Sequence, residues 1–377
     1  MPLQFPSVKQ SALLLCLTCS IFFCSCGKER KNNSAENTEI IPEFYSNLTK
    51  NPPVFVEIGN ASSKISNPQD LDFNPTRENE LWVINKGTEN SGGSTVMFTK
   101  TGTTSQKYDY RQDLNAWHFM SLPSAISFSS TGNWATTANV LDANHSGGTY
   151  TGPTLWSGDL NIYAKYAGPG TNGSHLDMLH GSPYSMGIES EFSNVYWLLD
   201  GYNEEIVRYD FVGDHGPGNH NHDDGKIHRY SSLKVKRDPS VPSHLVFDSN
   251  KEWLYIVDGG NKRILRLNVL TGEKIRELSQ INEVLSEHWE IGKFSWDVVV
   301  PSEVGLKQPC GIEIKDNRLF VSDYETGEII CFNIDTKKEI GRIKTPAAGI
   351  MGIKIGADGK LWYVNAANSQ VYRIDPQ

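Results

Sequence analysis

The stretch VPSHLVFDSNKEWLYIVDGGNKRILRLN, residues 241–268, decides the fold. It passes Pro242, makes a short apolar run, turns at Asp248–Ser249–Asn250, resumes as WLYIVD, turns again at Gly259–Gly260–Asn261 and closes on ILRLN. Runs of roughly four to eight alternating or continuously apolar residues, bounded by Gly, Asn, Asp and Pro, signal β-strands rather than helices. The same phrase recurs along the chain. NPQDLDF leads to ELWVINK, LPSAISF to NWATTANV, SPYSMGIE to VYWLLDGYNEEIVRYDF, QPCGIEIK to RLFVSDYETGEIICFN, and GIMGIKIG to KLWYVNAANSQVYRID.

The copies are spaced by roughly 40 to 67 residues, the range in which one repeat builds one propeller blade. A blade cannot bury both of its faces alone, so the expected fold is all-β, a six-bladed β-propeller that forms as a ring. The last copy stops at Gln377 after three strands. The segment VFVEI, Val54 to Ile58, is expected to supply the missing outer strand by pairing with Val371 to Ile374, which removes two raw sheet edges.

Pro242 to Ile264 resembles an NHL repeat, and the resemblance extends from residue 52 to the end of the chain. Within NHL-type propellers, blades four and five are most similar to peptidylamidoglycolate lyase. That resemblance implies a zinc held by histidines at the propeller axis with Arg and Tyr nearby. Here His244 stands two residues after Pro242 instead of directly after it, and Cys310 and Met351 occupy places where further histidines are expected.

In a four-stranded blade, residues just before the inner strand and just after the second strand converge on one rim. His118, His175, His180 and His244 precede or begin inner strands in this reading, and His145 follows a second strand. Neutral imidazoles from several loops suit zinc or another first-row metal with one position open to water or substrate. These five histidines are therefore the candidate rim metal ligands, with Asp142 and Asp177 to orient them. Each, taken singly, is also an ordinary hydrogen-bonded loop residue. For a catalytic metal, Tyr202, Arg263 and Tyr324 are the candidate side chains to handle protons or charge.

The motif DHGPGNHNHDDG, residues 214–225, is the densest polar cluster. Asp214, His215, His220, His222, Asp223 and Asp224 offer mixed oxygen and nitrogen ligands, for zinc or calcium, yet the spacing matches neither an EF-hand nor a zinc finger. A tight turn is as open a reading as a metal site, and a docking loop is a third. Its place between a third and a fourth strand predicts a loop on the lower face near the outside of blade three. In the neighbouring insertions, Trp156 and Tyr163 are expected to be strand and core residues of blade two, and INEVLSEHWEIGKFSW to form one short surface helix.

The leader reads as an export signal. After Lys9 comes the apolar run ALLLCLTCSIFFCSC, too short to span a membrane comfortably. Phe23-Cys24-Ser25-Cys26-Gly27 resembles a bacterial lipobox, so residues 1–25 are expected to be a lipoprotein signal peptide and 26–50 a flexible tether beginning at a lipidated Cys26, with 51–377 the propeller. The protein is then expected in the cell envelope, at the outer membrane, held by lipid. Only Cys310 and Cys331 remain in the body, which is no disulfide framework.

A formal net charge of -9 with no long basic block argues against nucleic acid as a partner. No Gly-x-Ser-x-Gly elbow or phosphate-cradling loop is present. A small molecule, a peptide or an envelope protein fits better, giving two functions to weigh: an envelope binding module, or a metal-dependent lyase or hydrolase similar to peptidylamidoglycolate lyase.

Overall fold

The computed structural model describes residues 52–376 apart from 166, 167, 169–171 and 220, and shows a six-bladed all-β propeller. The expected signal peptide, the tether with Cys26, and His220 lie outside the described residues. No helix among the described residues is long and apolar enough to cross a membrane.

Each repeat makes one antiparallel blade. Blade 1 consists of Pro68–Phe73, Glu80–Thr88, Gly92–Thr99 and Lys107–Arg111, counted from the axis outward. Blade 2 consists of Pro123–Phe128, Trp134–Ala138, Thr154–Trp156 and His175–Met178. Blade 3 comprises Met186–Phe192, Val195–Asp200, Glu205–Asp210 and Lys226–Tyr230, and blade 4 Leu245–Asp248, Trp253–Asp258, Arg263–Asn268 and Trp296–Val300. Blade 5 is Pro309–Lys315, Arg318–Asp323, Glu328–Asn333 and Glu339–Lys344.

Blade 6, Ile350–Ile355, Leu361–Asn365 and Gln370–Asp375, takes its outer strand from the front of the chain. Val54–Gly59 pairs antiparallel with it, Val54 opposite Asp375 and Phe55 opposite Ile374. The expected closure is thus present, and two otherwise bare edges satisfy each other.

Six apolar cores lie between successive blades. Trp82, Trp134, Trp156 and Tyr163 fill the first, all fully buried; Trp156 is a strand and core residue as expected, whereas Tyr163 is core but lies in a turn and not in a strand. Cys310 and Cys331 are buried free thiols, small apolar residues in effect.

The expected helix after Ile281 is corrected. Glu287–Gly292 is a strand, and with Glu273–Glu277 it forms a hairpin inserted within blade 4 that instead extends the sheet of blade 3, Glu287–Gly292 lying parallel to Lys226–Tyr230. The sequence HWEIG alternates around a half-buried face, and pairing with the free edge of blade 3 outweighs any local helical pattern.

The axis is held by charge. The inner strands place Asp70, Asp72, Ser127, Glu189 and Glu313 around it, and each of these reaches to the next blade. Asp70 accepts from Ile126 N at 3.0 Å, Asp72 from Phe128 N at 2.7 Å, Ser127 Oγ from Ser190 N at 3.0 Å, Glu189 from Phe247 N at 3.3 Å, and Glu313 from Ile355 N at 3.3 Å. An inner strand has no neighbour on its axial side, and these side chains satisfy its exposed donors. Lys354 from blade 6 completes the circuit, with Nζ 3.4 Å from Asp72 and 3.9 Å from Glu313. Burial alone would depress this ammonium, but Asp72, Glu189, Glu313 and Asp70 hold its pKa well above the usual value.

Burial raises Asp70 and Glu313, and pushes Glu189 up to about 7. A carboxyl raised in the folded state favours folding fully only below its unfolded pKa, and that contribution is lost as pH climbs through the folded value. Glu189→Gln is therefore expected to gain stability relative to wild type between about pH 4.5 and 7, by on the order of 1–3 kcal/mol, in urea unfolding followed across that range. A constant difference between the two proteins would show that Glu189 does not titrate there.

Candidate functional site

The upper face is the one at which inner strands begin. His118 lies in the four-residue helix Ala116–Phe119, directly before the inner strand of blade 2, and its Nδ1 bonds Ala143 O at 2.9 Å. Burial lowers the His118 pKa, so the ring is held neutral near pH 7. Tyr150 stacks on His118 at 6.1 Å and lies 3.6 Å from His180, centroid to centroid. The exposed Trp117 packs on both His118 and His145, at 5.4 and 5.7 Å. His145 itself holds a positive φ of 53° in an exposed loop.

Asp142 does not orient a histidine. Its carboxylate accepts from the backbone of Asn144, Ser146 and Gly148, and these bonds outweigh its desolvation and draw its pKa down to about 2. The effect is to fix the shape of the His145 loop.

His175 and His180 are not at the start of an inner strand. His175 begins the outermost strand of blade 2, stacked on Phe119 at 3.7 Å, and His180 follows the end of that strand. His244 is displaced to the axis, where Nε2 bonds Ser124 O at 3.0 Å and Nδ1 lies 3.6 Å from Asp70. The five rim histidines therefore divide: His118, His145, His175 and His180 form a connected ring system over blade 2, and His244 belongs to the axial charge circuit. A four-residue outer strand in blade 2, preceded by a long insertion, moved the two histidines outward.

The 214–225 loop runs between the third and fourth strands of blade 3, as expected, and makes a contact that was not expected. It leaves the lower end of blade 3 but crosses to the outer strand of blade 2, with Gly218 N donating to His175 O at 2.8 Å. His222 Nδ1 meets Asp177 Oδ1 at 2.6 Å, and its ring stands edge-on to His180 at 5.7 Å. The two sets of histidines, far apart in sequence reading, thus meet at one seam.

A third segment joins them from the blade 4 insertion. Glu283 takes His180 Nδ1 at 2.5 Å and His180 N at 2.8 Å. Buried His180 and half-buried His222 are each backed by a carboxylate, which fixes the orientation of the ring. Burial raises the Asp177 carboxyl, and His222 is raised despite its own burial because Asp177 favours its cation. Asp177 Oδ2 and His180 Nε2 are buried without a hydrogen-bond partner.

The rest of the loop is turn machinery. His215 Nε2 bonds Asp224 Oδ1 at 2.9 Å, and Asp214 caps Gly216 N at 2.9 Å. Asp223 N is held by Asn221 at 3.3 Å. Among the described residues no group of three or more His, Cys, Asp or Glu is spaced to hold a metal ion.

The three candidate proton-handling residues stand apart from the seam. Tyr202 is 56% exposed, its N donating to Asp200. Arg263 is committed to Asp258 at 2.6 Å. Tyr324 packs over the core between blades 6 and 1.

Sequence reasoning missed Glu283, Tyr150 and the whole axial circuit. Glu283 carries no local signal, because it arrives from an insertion in a blade further on. The axial residues did have one. When the repeats are aligned on their inner strands, Asp72, Ser127, Glu189, Glu313 and Lys354 occupy one shared position, and polar residues there are out of place in a buried strand.

A cavity of about 630 Å³ opens at the lower end of the axis, lined by Glu189, Phe247, Asp248, Glu313 and Lys354 among others. Its lining carries the four acids Glu189, Asp248, Glu313 and Asp316 against the three lysines Lys251, Lys315 and Lys354, and no histidine lines it.

No protein-family model matches the chain, and no curated protein matches it. Solved structures do. It is similar to a luciferin-regenerating enzyme, at 13% identity over 86% of this chain and 95% of that one, with a TM-score of 0.55. An auxiliary nutrient binding protein from Bacteroides ovatus matches at 12% identity, covering 90% and 76%, with a TM-score of 0.54. A streptogramin B lyase matches at 14% identity, covering 87% and 99%, with a TM-score of 0.51. At these identities the likeness is one of fold, and what it establishes is that this chain is an all-β six-bladed propeller.

Proposed function

We propose that this protein is a lipid-anchored cell-envelope β-propeller that binds a small molecule, a peptide or an envelope protein through its upper face. The observation that carries the reading is the partly exposed set of rings Trp117, His118, His145 and Tyr150, set over buried His180 and half-buried His222, which their carboxylates hold in place. Flat rings fixed by a rigid scaffold offer contact area at small entropic cost. A propeller of the same fold described as an auxiliary nutrient binding protein agrees with such use.

The experiment is a thermal-shift screen of small molecules, peptides and glycans on the mature protein, followed by Trp117→Ala with Tyr150→Ala. A ligand at about 100 times its Kd stabilises the native state by about 2.7 kcal/mol. That shift is expected to vanish in the double variant; a hit whose shift survives it would move the site elsewhere. The anchor is tested by fatty-acid labelling, which Cys26→Ser is expected to abolish along with membrane retention.

The second reading is a metal-dependent lyase or hydrolase, and one observation favours it. His118, His180 and His222 each have Nδ1 occupied by a carbonyl or carboxylate, the arrangement in which Nε2 is turned toward a ligand. Here a divalent metal, zinc or calcium, would be held by seam residues after the 214–225 loop shifts, and Tyr202, Arg263 and Tyr324 are too remote to serve it without movement. Metal content under replete conditions separates the readings. Stoichiometric metal lost from both His175→Ala/His180→Ala and His220→Ala/His222→Ala is the result expected of a shared seam site, whereas a wild type that stays metal-free overturns it.

A further inference from the structure

Arg237 is the exception among the arginines. Every other described arginine has a carboxylate oxygen within 4.0 Å, from Arg77 on Glu80 to Arg373 on Asp375. Arg237 has none among the described residues. Its guanidinium stacks on the Tyr184 ring at 4.1 Å, the closest of the cation–ring contacts described, and Nη1 donates to Asn139 Oδ1 at 3.2 Å. The remaining donors of the fork are left over.

The position is built, not incidental. Arg237 precedes the inner strand of blade 4, Tyr184 that of blade 3, and Asn139 follows the second strand of blade 2, so one side chain bridges three blades at the upper mouth. Gly201 makes room for it, since a Cβ there would come within 2.5 Å of Arg237 Cδ. The nearby acids face away: Asp238 is engaged by Ser240 and Gln308, Asp258 by Arg263 and Asn261, and Asp200 by Arg229 and Asn203. Lys234 and Lys236 flank the site, also without a carboxylate within 4.0 Å among the described residues. Partial burial with no counter-charge depresses the Arg237 pKa.

We propose that the upper mouth of the ring carries an oxyanion site centred on Arg237, which takes a small molecule bearing a carboxylate or phosphate group. A planar fork stacked on an aromatic ring is pre-organised for two parallel hydrogen bonds to such a group. The inference rests on the reading that the upper face binds a ligand, and supplies the chemistry of one end of that ligand.

The test is calorimetric titration of the mature protein with citrate and with inorganic phosphate, against chloride at matched ionic strength. Saturable binding of either is expected in wild type, weakened roughly tenfold in Arg237→Lys, which keeps the charge but loses the fork and the stacking, and lost in Arg237→Gln. Binding by citrate alone assigns a carboxylate ligand, and by phosphate alone a phosphate. Arg276→Gln, which removes the same charge at an exposed position, is expected to bind as wild type does. Equal loss in Arg276→Gln, or equal binding in wild type and Arg237→Gln, overturns the site. If Arg237→Gln fails to fold, the lysine variant still decides, because unchanged binding there sinks the forked geometry. A negative result leaves the ring-lined surface at Trp117 and Tyr150 untouched, since neutral ligands found by the screen report on it separately.

Discussion

Replacing Arg229 with methionine is expected to lower the unfolding free energy by about 3–5 kcal/mol, read as a large drop in the urea midpoint. The side chain is 5% exposed and meets Asp200, at 0%, and Glu205, at 6%. Nη1 lies 2.7 Å from Glu205 and 3.1 Å from Asp200, Nε donates to His288 Nε2 at 2.9 Å, and Nη2 donates to Gly181 O. His288 accepts from Arg229 through Nε2 and must therefore carry its proton on Nδ1, which donates to Ser279 O at 2.7 Å. Burial and the adjacent guanidinium push its pKa down to about 4, consistent with that neutral tautomer.

The cost comes less from losing an attraction than from stranding two carboxylates in a dry site. Arg229→Met combined with Glu205→Gln and Asp200→Asn is accordingly expected to recover part of the loss. Arg276→Met, which breaks the exposed pair with Glu290, is expected to cost less than about 1 kcal/mol. Equal effects of Arg229→Met and Arg276→Met would show that burial is not what matters. Arg229 also fastens the blade 4 insertion, through His288, to the turn after His180. The variant should therefore loosen the Glu283–His180 contact and disturb the seam before the ring itself opens.

Removal of the chain through Asn60 is the second large effect. It strips the outer strand of blade 6, with Ile58 and the partly buried Phe55 and Val56, and exposes the edge Gln370–Asp375. The apolar contribution alone is about 3 kcal/mol, at roughly 1.5–3 kcal/mol for a fully buried side chain and less for a half-buried one. The truncated protein is expected to melt earlier and to self-associate through the bare edge. A peptide of residues 52–60 added in trans should restore both properties by strand addition. A truncated monomer with unchanged melting would mean that the ring does not need this clasp.

The sequence was legible where structure is local and repeated. Each strand run, such as WLYIVD or RLFVSD, is bounded by its own turn residues, so strand positions and blade count follow from short windows. The closing strand followed from an arithmetic deficit of one strand at the C-terminal end. Trp156 and Tyr163 were readable as core because large aromatics inside strand-like segments have few other places to go. The hairpin that contains Glu287–Gly292 was misread for the opposite reason. Its segment matches no repeat, and its partner, the edge of blade 3, is recruited from across a blade boundary.

The histidines show the same division. Residue type and rough rim position were available from the sequence, and they brought His118, His145 and His180 to the correct side of the ring. The sequence by itself determined the ring, its six blades and its clasp, because these depend on alternation, turns and the need to bury sheet faces. Only the tertiary structure decided that the 214–225 loop crosses to blade 2 and that Glu283 arrives from the blade 4 insertion to back His180. It also decided that His244 falls into the axis and that Arg237 is left without an acid. Each of these is a contact between segments far apart in the chain, and contacts of that kind are set by packing, not by any local pattern.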